Sequence, residues 1–298
     1  MAGLIPPEAE VFRARLPEVV GLYAGGSLAL GDYRPGVSDL DLVAVVPSVL
    51  NAGRQRDLER LHQQLVADVP AAVRLHCVYV ARPLVEQVER EHPTWASGEL
   101  YPRPLGGIAR AELHRHGLVL AGPPVAAVFP PVTSADLRTA VRLELSGYWA
   151  RAVGRRKAWL QDVYVDLGPL VLARAEVALT EDRLITKTEA LTRLDRFGVP
   201  PRLVDEMTRR RAGEAVQVPT GWRVRRTRLV RRIVARGIET LLPRTTASRG
   251  CCRAEYGWRR DAMAWRSAAV SGGARPGSAW PCRASAPARA GRPTRRRR

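Results

Sequence analysis

Apolar and polar positions divide the chain into an early part with strand-length apolar runs and a later part with helical spacing only. Pro7 to Leu16 reads as a short first helix, with proline at its start where the missing N–H does no harm. Apolar Val19 to Ala24 reads as a strand, Gly25 and Gly26 break it, and Ser27 opens a short helical run. Arg34-Pro35-Gly36 then turns the chain into a second strand that carries Asp39 and Asp41. Asn51 to Ala67 places Leu58, Leu61, Leu65 and Val66 on one helical face, and Ala72 to Val80 reads as a third strand. Strands alternating with helices in this way predict a small mixed sheet covered by helices, an α/β (α+β) fold. Residues 92 to 108, dense in Pro and Gly, read as a loop over one side of the sheet, followed by a helix from Ala109 to His116.

Gly122-Pro123-Pro124 and Pro130-Pro131 punctuate the passage to the helical half, which divides the chain into residues 1–125, 126–242 and a remainder, 243–298. Thr133 or Ser134 caps a helix with Leu137, Val141, Leu145 and Tyr148 at buried-face spacing. A second helix runs from Trp159 to Leu179, with Asp162 and Asp166 on one face. Thr186 and Glu189 form a capping box that opens a third helix, Lys187 to Phe197, which stops at Gly198. The last periodic segment, Trp222 to Leu242, has Val230, Ile233, Val234, Ile238, Leu241 and Leu242 on one face and arginines mostly on others. It reads as the closing helix of the bundle, with a nucleic-acid or membrane face as the other reading of its basic amphipathic pattern. Beyond Pro243 the periodicity ends, and the composition predicts disorder.

Composition changes this picture in three places. The formal charge of +19 is concentrated at the end, where residues 244–298 hold fourteen arginines against Glu255 and Asp261. Cys77 is the only cysteine before that segment, so neither a disulfide framework nor zinc spacing is present. The first twenty residues carry acids and prolines where a secretory signal needs a basic start and an apolar run, and no apolar stretch reaches membrane length. The expectation is a cytoplasmic monomer that does not engage a membrane.

The candidate chemistry lies where the first two strands meet. Gly25 and Gly26 let the backbone approach an anion, while the N–H groups of the next turn and the Ser27 hydroxyl point at it. Alternation along the second strand projects Asp39 and Asp41 from one face. Oxygen ligands so placed suit Mg²⁺, which keeps several waters and borrows further ligands from substrate phosphates.

The Gly-Gly-Ser turn, eleven residues short of an Asp-x-Asp strand, resembles the nucleotidyltransferase core of the DNA polymerase beta superfamily. The runs Arg110 to Pro123 and Leu184 to Leu191 are similar to the aminoglycoside 3''-adenylyltransferase-like branch. The resemblance spans roughly residues 15 to 240 and is strongest in the first motif. It implies ATP and Mg²⁺ as cofactors, AMP as the transferred group, and a small hydroxylated acceptor rather than a nucleic acid. Asp39 and Asp41 would hold the metal, Gly25, Gly26 and Ser27 the β and γ phosphates, and Lys187 the triphosphate from the helical half. Lys187 is one of only two lysines in an arginine-dominated chain. The family's third carboxylate falls on the third strand, where His76 stands instead. An imidazole there serves as base for the acceptor hydroxyl, or is an inert packing residue in a protein that has lost activity.

Other residues keep two readings. Trp95 and Glu99 line the ligand pocket, or Trp95 packs as a lid on the core. Asp162 and Asp166 grip an acceptor amine or ribose hydroxyl, or pair with neighbouring arginines. His114 and His116 read as surface residues, since two positions apart on a helix they point to different faces. Against the transferase stand two rivals: a non-catalytic nucleotide-binding or antitoxin-like regulatory protein, and nucleotidyl transfer to RNA or protein.

Overall fold

A computed structural model describes residues 5–16 and 18–242; the segment expected to be disordered, 243–298, lies outside the described residues. Helix α1 (Pro7–Arg15) leads into strand β1 (Gly21–Ala24), the one-turn helix α2 (Gly26–Ala29) and strand β2 (Leu40–Val46). Helix α3 (Ala52–Asp68) connects β2 to β3 (Leu75–Ala81). Asn51 caps α3, its side-chain oxygen accepting from the Arg54 N–H at 2.9 Å. Next come β4 (Glu91–Ala96), β5 (Glu99–Pro104), α4 (Gly107–His116) and β6 (Leu118–Ala121). The six strands form one mixed sheet in the order β5-β4-β3-β2-β1-β6. Only β2 and β3, the pair joined through α3, run parallel.

Strand alternation divides the core in two. Leu22, Ala24, Leu42, Ala44, Cys77 and Tyr79 pack with Phe12 of α1 and Leu58 and Leu65 of α3. Tyr23, Val43, Val45 and Val80 face the other way, onto Leu113 of α4 and Phe129. As β2 is central and covered on both faces, it is apolar almost throughout. Asp41, two residues before Val43, therefore belongs to the α4 side.

The stretch 92–108, expected as a loop, is mostly a β-hairpin. Ser97 and Gly98 both have positive φ, 55° and 86°, and form the two-residue turn that reverses β4 into β5. Pro93 faces Pro102 across the pair, and β5 is the edge strand, where a residue without an N–H is tolerated. Trp95 is buried at 2 % exposure and stacks on His62 of α3 with ring centroids 4.6 Å apart, so it packs in the core and lines no pocket. Glu99 is exposed beside the turn, opposite Ala96. Strand β6, within a run noted only for its resemblance, adds the far edge by pairing with β1.

The remaining helices are α5 (Ser134–Glu144), α6 (Ala150–Gly154), α7 (Asp162–Thr180), α8 (Lys187–Leu191), α9 (Pro201–Arg211) and α10 (Thr220–Leu241). Leu137, Val141, Leu145, Trp149, Leu172, Leu203, Val230 and Val234 fill their common core, which Ala111 of α4 joins. α10 packs its apolar face along this bundle, as a closing helix does. The helix expected over Lys187 to Phe197 ends at Leu191 and resumes as a 3₁₀ turn, Leu194–Phe197, before Gly198 reverses the chain at φ 70°.

Candidate active site

Gly26 is the residue on which the local geometry turns. Its φ of +57° is open to glycine at little cost, and a Cβ there would run into the Asp41 carboxylate. Gly25 is extended, has open space where a Cβ would sit, and donates its N–H to the Asp41 carbonyl at 2.9 Å. The two glycines are thus unequal: one stitches the turn to β2, the other makes room for an acid.

A small cavity of about 60 Å³ gathers Gly26 and Ser27 from α2, Asp39 and Asp41 from the start of β2, and Lys187 from the start of α8. These residues are separated by up to 161 positions in sequence. Gly25 does not line it. His76 stands beside Asp41 in the parallel register of β2 and β3, with Nδ1 3.6 Å from Asp41 Oδ1. Arg74 approaches Asp39, Nη1 to Oδ1 3.5 Å, and donates to the Val37 carbonyl at 3.2 Å.

Burial and charge pull in opposite directions on each of these groups. Burial raises the Asp39 pKa, and His76, Lys187 and Arg74 only partly offset it. Burial acts in the same sense on Asp41, but there the interaction with His76 outweighs it and the pKa is lowered. For His76 burial opposes protonation, and Asp41 and Asp39 together overcome it, raising the pKa. Burial lowers the Lys187 pKa despite the attraction of Asp41 and Asp39.

Among the described residues no group of three or more His, Cys, Asp and Glu gathers as a closed metal site. Two carboxylates in a cavity bordered by a hydroxyl and an ammonium group suit an oxygen-seeking ion with an incomplete protein shell. Mg²⁺ fits that donor set, since waters and phosphate oxygens complete its coordination.

Four contributors escaped the sequence reading: Asp32, Glu112, Arg174 and Arg74. Asp32 Oδ1 accepts from the Thr188 hydroxyl at 2.6 Å, and Oδ2 accepts from the Thr188 N–H at 3.2 Å and from Arg211. Arg174 donates to Glu112 Oε1 at 2.6 Å and to the Ile185 carbonyl at 3.0 Å. Lys187 is therefore anchored on both flanks, through Ile185 and Thr188. The only sequence signals were that Asp32 lies five residues after Ser27 and that Glu112 lies in one of the family-like runs. Asp162 and Asp166 face no ligand pocket: Asp166 takes two hydrogen bonds from Arg210, at 2.6 and 2.8 Å, and Asp162 pairs with Arg226.

A second, larger cavity of about 1130 Å³ meets the first at Glu112, Arg174 and Lys187. Its walls come from α4, α5 and α7 and from the turns between them.

Residues 9–91 match the family model described as a nucleotidyltransferase domain. No curated protein matches the chain by sequence. Among solved structures, spectinomycin adenyltransferase AAD(9) from Enterococcus faecialis, crystallised with ATP and spectinomycin, aligns with a TM-score of 0.57 at 14 % identity, over 79 % of this chain and 99 % of that one. The likeness extends through the helical half and is one of fold. The early part of the chain, with its turn and paired acids, is a nucleotidyltransferase domain.

Proposed function

We propose, from the nucleotidyltransferase domain in residues 9–91, that the protein transfers AMP from ATP to a hydroxyl of a small acceptor, with Mg²⁺ as cofactor. The observation that carries this reading is the meeting of Asp39, Asp41, Ser27 and Lys187 around one small cavity. Such a set has the charges that phosphoryl chemistry needs: acids to hold a cation, and an ammonium group and a hydroxyl for phosphate oxygens.

In the reaction the acceptor oxygen forms a bond to the α-phosphorus, the bond from that phosphorus to the β-bridging oxygen breaks, and pyrophosphate leaves. Asp39 and Asp41 hold the metal, which when bound neutralises phosphate charge. Ser27 and the Gly26 turn, with Gly25 setting the strand end, seat the β and γ phosphates. Lys187 binds the triphosphate from the other flank, and its anchoring through Ile185 and Thr188 supports preorganisation there. His76 takes the acceptor proton; its place beside Asp41 puts an imidazole at the metal end of the cavity. An acceptor similar to the aminoglycosides is the starting expectation, given the spectinomycin named for the solved relative.

A non-catalytic nucleotide-binding role has one observation in its favour: both acids already have a basic partner, Arg74 at Asp39 and His76 at Asp41. Pyrophosphate release from ATP, measured with and without Mg²⁺, separates the two. Asp41→Asn should abolish release while the circular dichroism spectrum stays unchanged. His76→Ala should slow it by roughly 10²- to 10⁴-fold with ATP affinity kept. Wild-type protein that binds ATP but releases no pyrophosphate with any hydroxylated acceptor would leave the regulatory reading standing.

A further inference from the structure

The larger cavity differs in chemistry from the smaller one. Phe129, Tyr148, Trp149, Leu167 and Val171 give it an apolar wall. At about 1130 Å³ it stands at the upper end of the range of about 300–1,000 Å³ usual for drug-sized ligands, enough for a nucleoside and an acceptor body together. Because it meets the phosphate-sized cavity at Lys187, a hydroxyl on its occupant can approach the reacting phosphorus.

Its charges are unsuited to a polycation. Five basic residues line it, Arg103, Arg110, Arg151, Arg174 and Lys187, against four acidic ones. Each acid is already engaged. Glu112 receives Arg174 at 2.6 Å, and Asp136 receives the N–H and hydroxyl of Thr133 in the α5 capping box. Glu144 interacts with Arg103, Trp149 and Arg151, and Glu89 with Arg110. The nearby pair Asp162 and Asp166, which could have made an acidic pocket, is held by Arg226 and Arg210. An ammonium group brought into such a cavity loses its hydration without gaining an uncommitted carboxylate, and each further ammonium adds to that loss and to repulsion by the arginines.

From this we infer that the acceptor is an amphiphilic hydroxylated molecule carrying at most one positive charge, its apolar body lying on the Phe129–Trp149 wall. The inference rests on the transferase reading above and narrows its substrate class away from aminoglycosides with several amines. The transfer itself is unchanged: the acceptor hydroxyl gives its proton to His76, its oxygen takes the AMP group, and pyrophosphate departs.

The test is calorimetry on the full chain with Mg²⁺ and an ATP analogue blocked at the α–β bridge. The probes are hexyl glucoside (neutral), its 2-amino analogue (one charge) and kanamycin (four charges). Each titration is repeated without nucleotide. The expected result is that the first two bind at least tenfold more tightly than kanamycin. Arg151→Glu, at an exposed position on the cavity wall, should narrow that ratio at least threefold by adding a carboxylate. Kanamycin binding as tightly as hexyl glucoside overturns the inference, and so does a protein that binds the nucleotide but none of the three probes. If the nucleotide itself fails to bind, the transferase reading falls. The preference among probes measured without nucleotide then still decides whether the cavity excludes polycations.

Discussion

At the scale of single residues, adjacent glycines do different work. Gly26 needs its left-handed backbone and the absence of a Cβ, because that atom would strike Asp41; Gly25 needs neither. Gly26→Ala should therefore add about 1–2 kcal/mol of backbone strain and displace the carboxylate, lowering Mg²⁺-dependent ATP affinity at least tenfold. Gly25→Ala should leave affinity within a factor of three. Equal losses in titrations of the two variants would mean that Asp41 is not the group Gly26 accommodates. His76 shows the same dependence on immediate neighbours. Its raised proton affinity, won from Asp41 and Asp39 against burial, is invisible in a sequence where the three lie 35 to 37 positions apart.

Between elements, Asp32 is the tie that matters most for the site. It follows α2, and its carboxylate accepts from the first turn of α8 and from Arg211 at the end of α9. Both ends of the Asp32–Arg211 pair are nearly buried, with side-chain exposures of 9 % and 10 %. Removing one partner of such a pair leaves the other charge uncompensated, so Asp32→Ala should cost about 3–5 kcal/mol of stability. It should also raise KM for ATP more than it lowers kcat, since Lys187 adjoins Thr188. Burial raises the Asp32 pKa, but the hydrogen bonds from Arg211 and Thr188 overcome it, and the folded value lies below the ordinary one. The unfolded chain then binds more protons in that window, so stability rises with pH through it. The contribution is complete above the unfolded carboxylate pKa of about 3.9 and is lost as pH falls through the lower folded value. Asp32→Asn should flatten this limb of the acid-unfolding curve; a limb of unchanged slope would place the acid sensitivity elsewhere.

For the molecule as a whole, charge has been used to lock the helical bundle rather than to face a ligand. Arg226 of α10 is fully buried, donating to Glu206 of α9 at 2.9 Å and pairing with Asp162 of α7. Glu206 also accepts from Trp222, whose ring carries Arg202 at 4.3 Å from its centroid. One guanidinium thus joins three helices. Arg226→Met should lower unfolding free energy by about 3–5 kcal/mol through the stranded acids. The triple variant with Glu206→Gln and Asp162→Asn should recover part of that, because neutral amides cost less to bury unpaired. Urea unfolding measures both, and a single variant as stable as wild type would show that the network contributes specificity without stability.

The sequence alone determined what depends on local backbone preference and on strand or helix period. The turn at Gly25 and Gly26, the same-face placement of Asp39 and Asp41, the central apolar strand and the cap at Thr186 all follow from residues a few positions apart. The hairpin at 92–108 was also local in origin, but its Ser97-Gly98 turn lay among prolines that read as loop signals. Tertiary structure decided the matters that need distant residues to meet. Whether Trp95 faces a pocket depends on His62, and whether Asp162 and Asp166 are open to a ligand depends on Arg226 and Arg210. Likewise, the charge balance of the acceptor cavity exists only once α4, α5 and α7 surround it. Periodicity tells which face of an element is apolar, but an acid's availability is set by the charge opposite it, and that partner is chosen by packing.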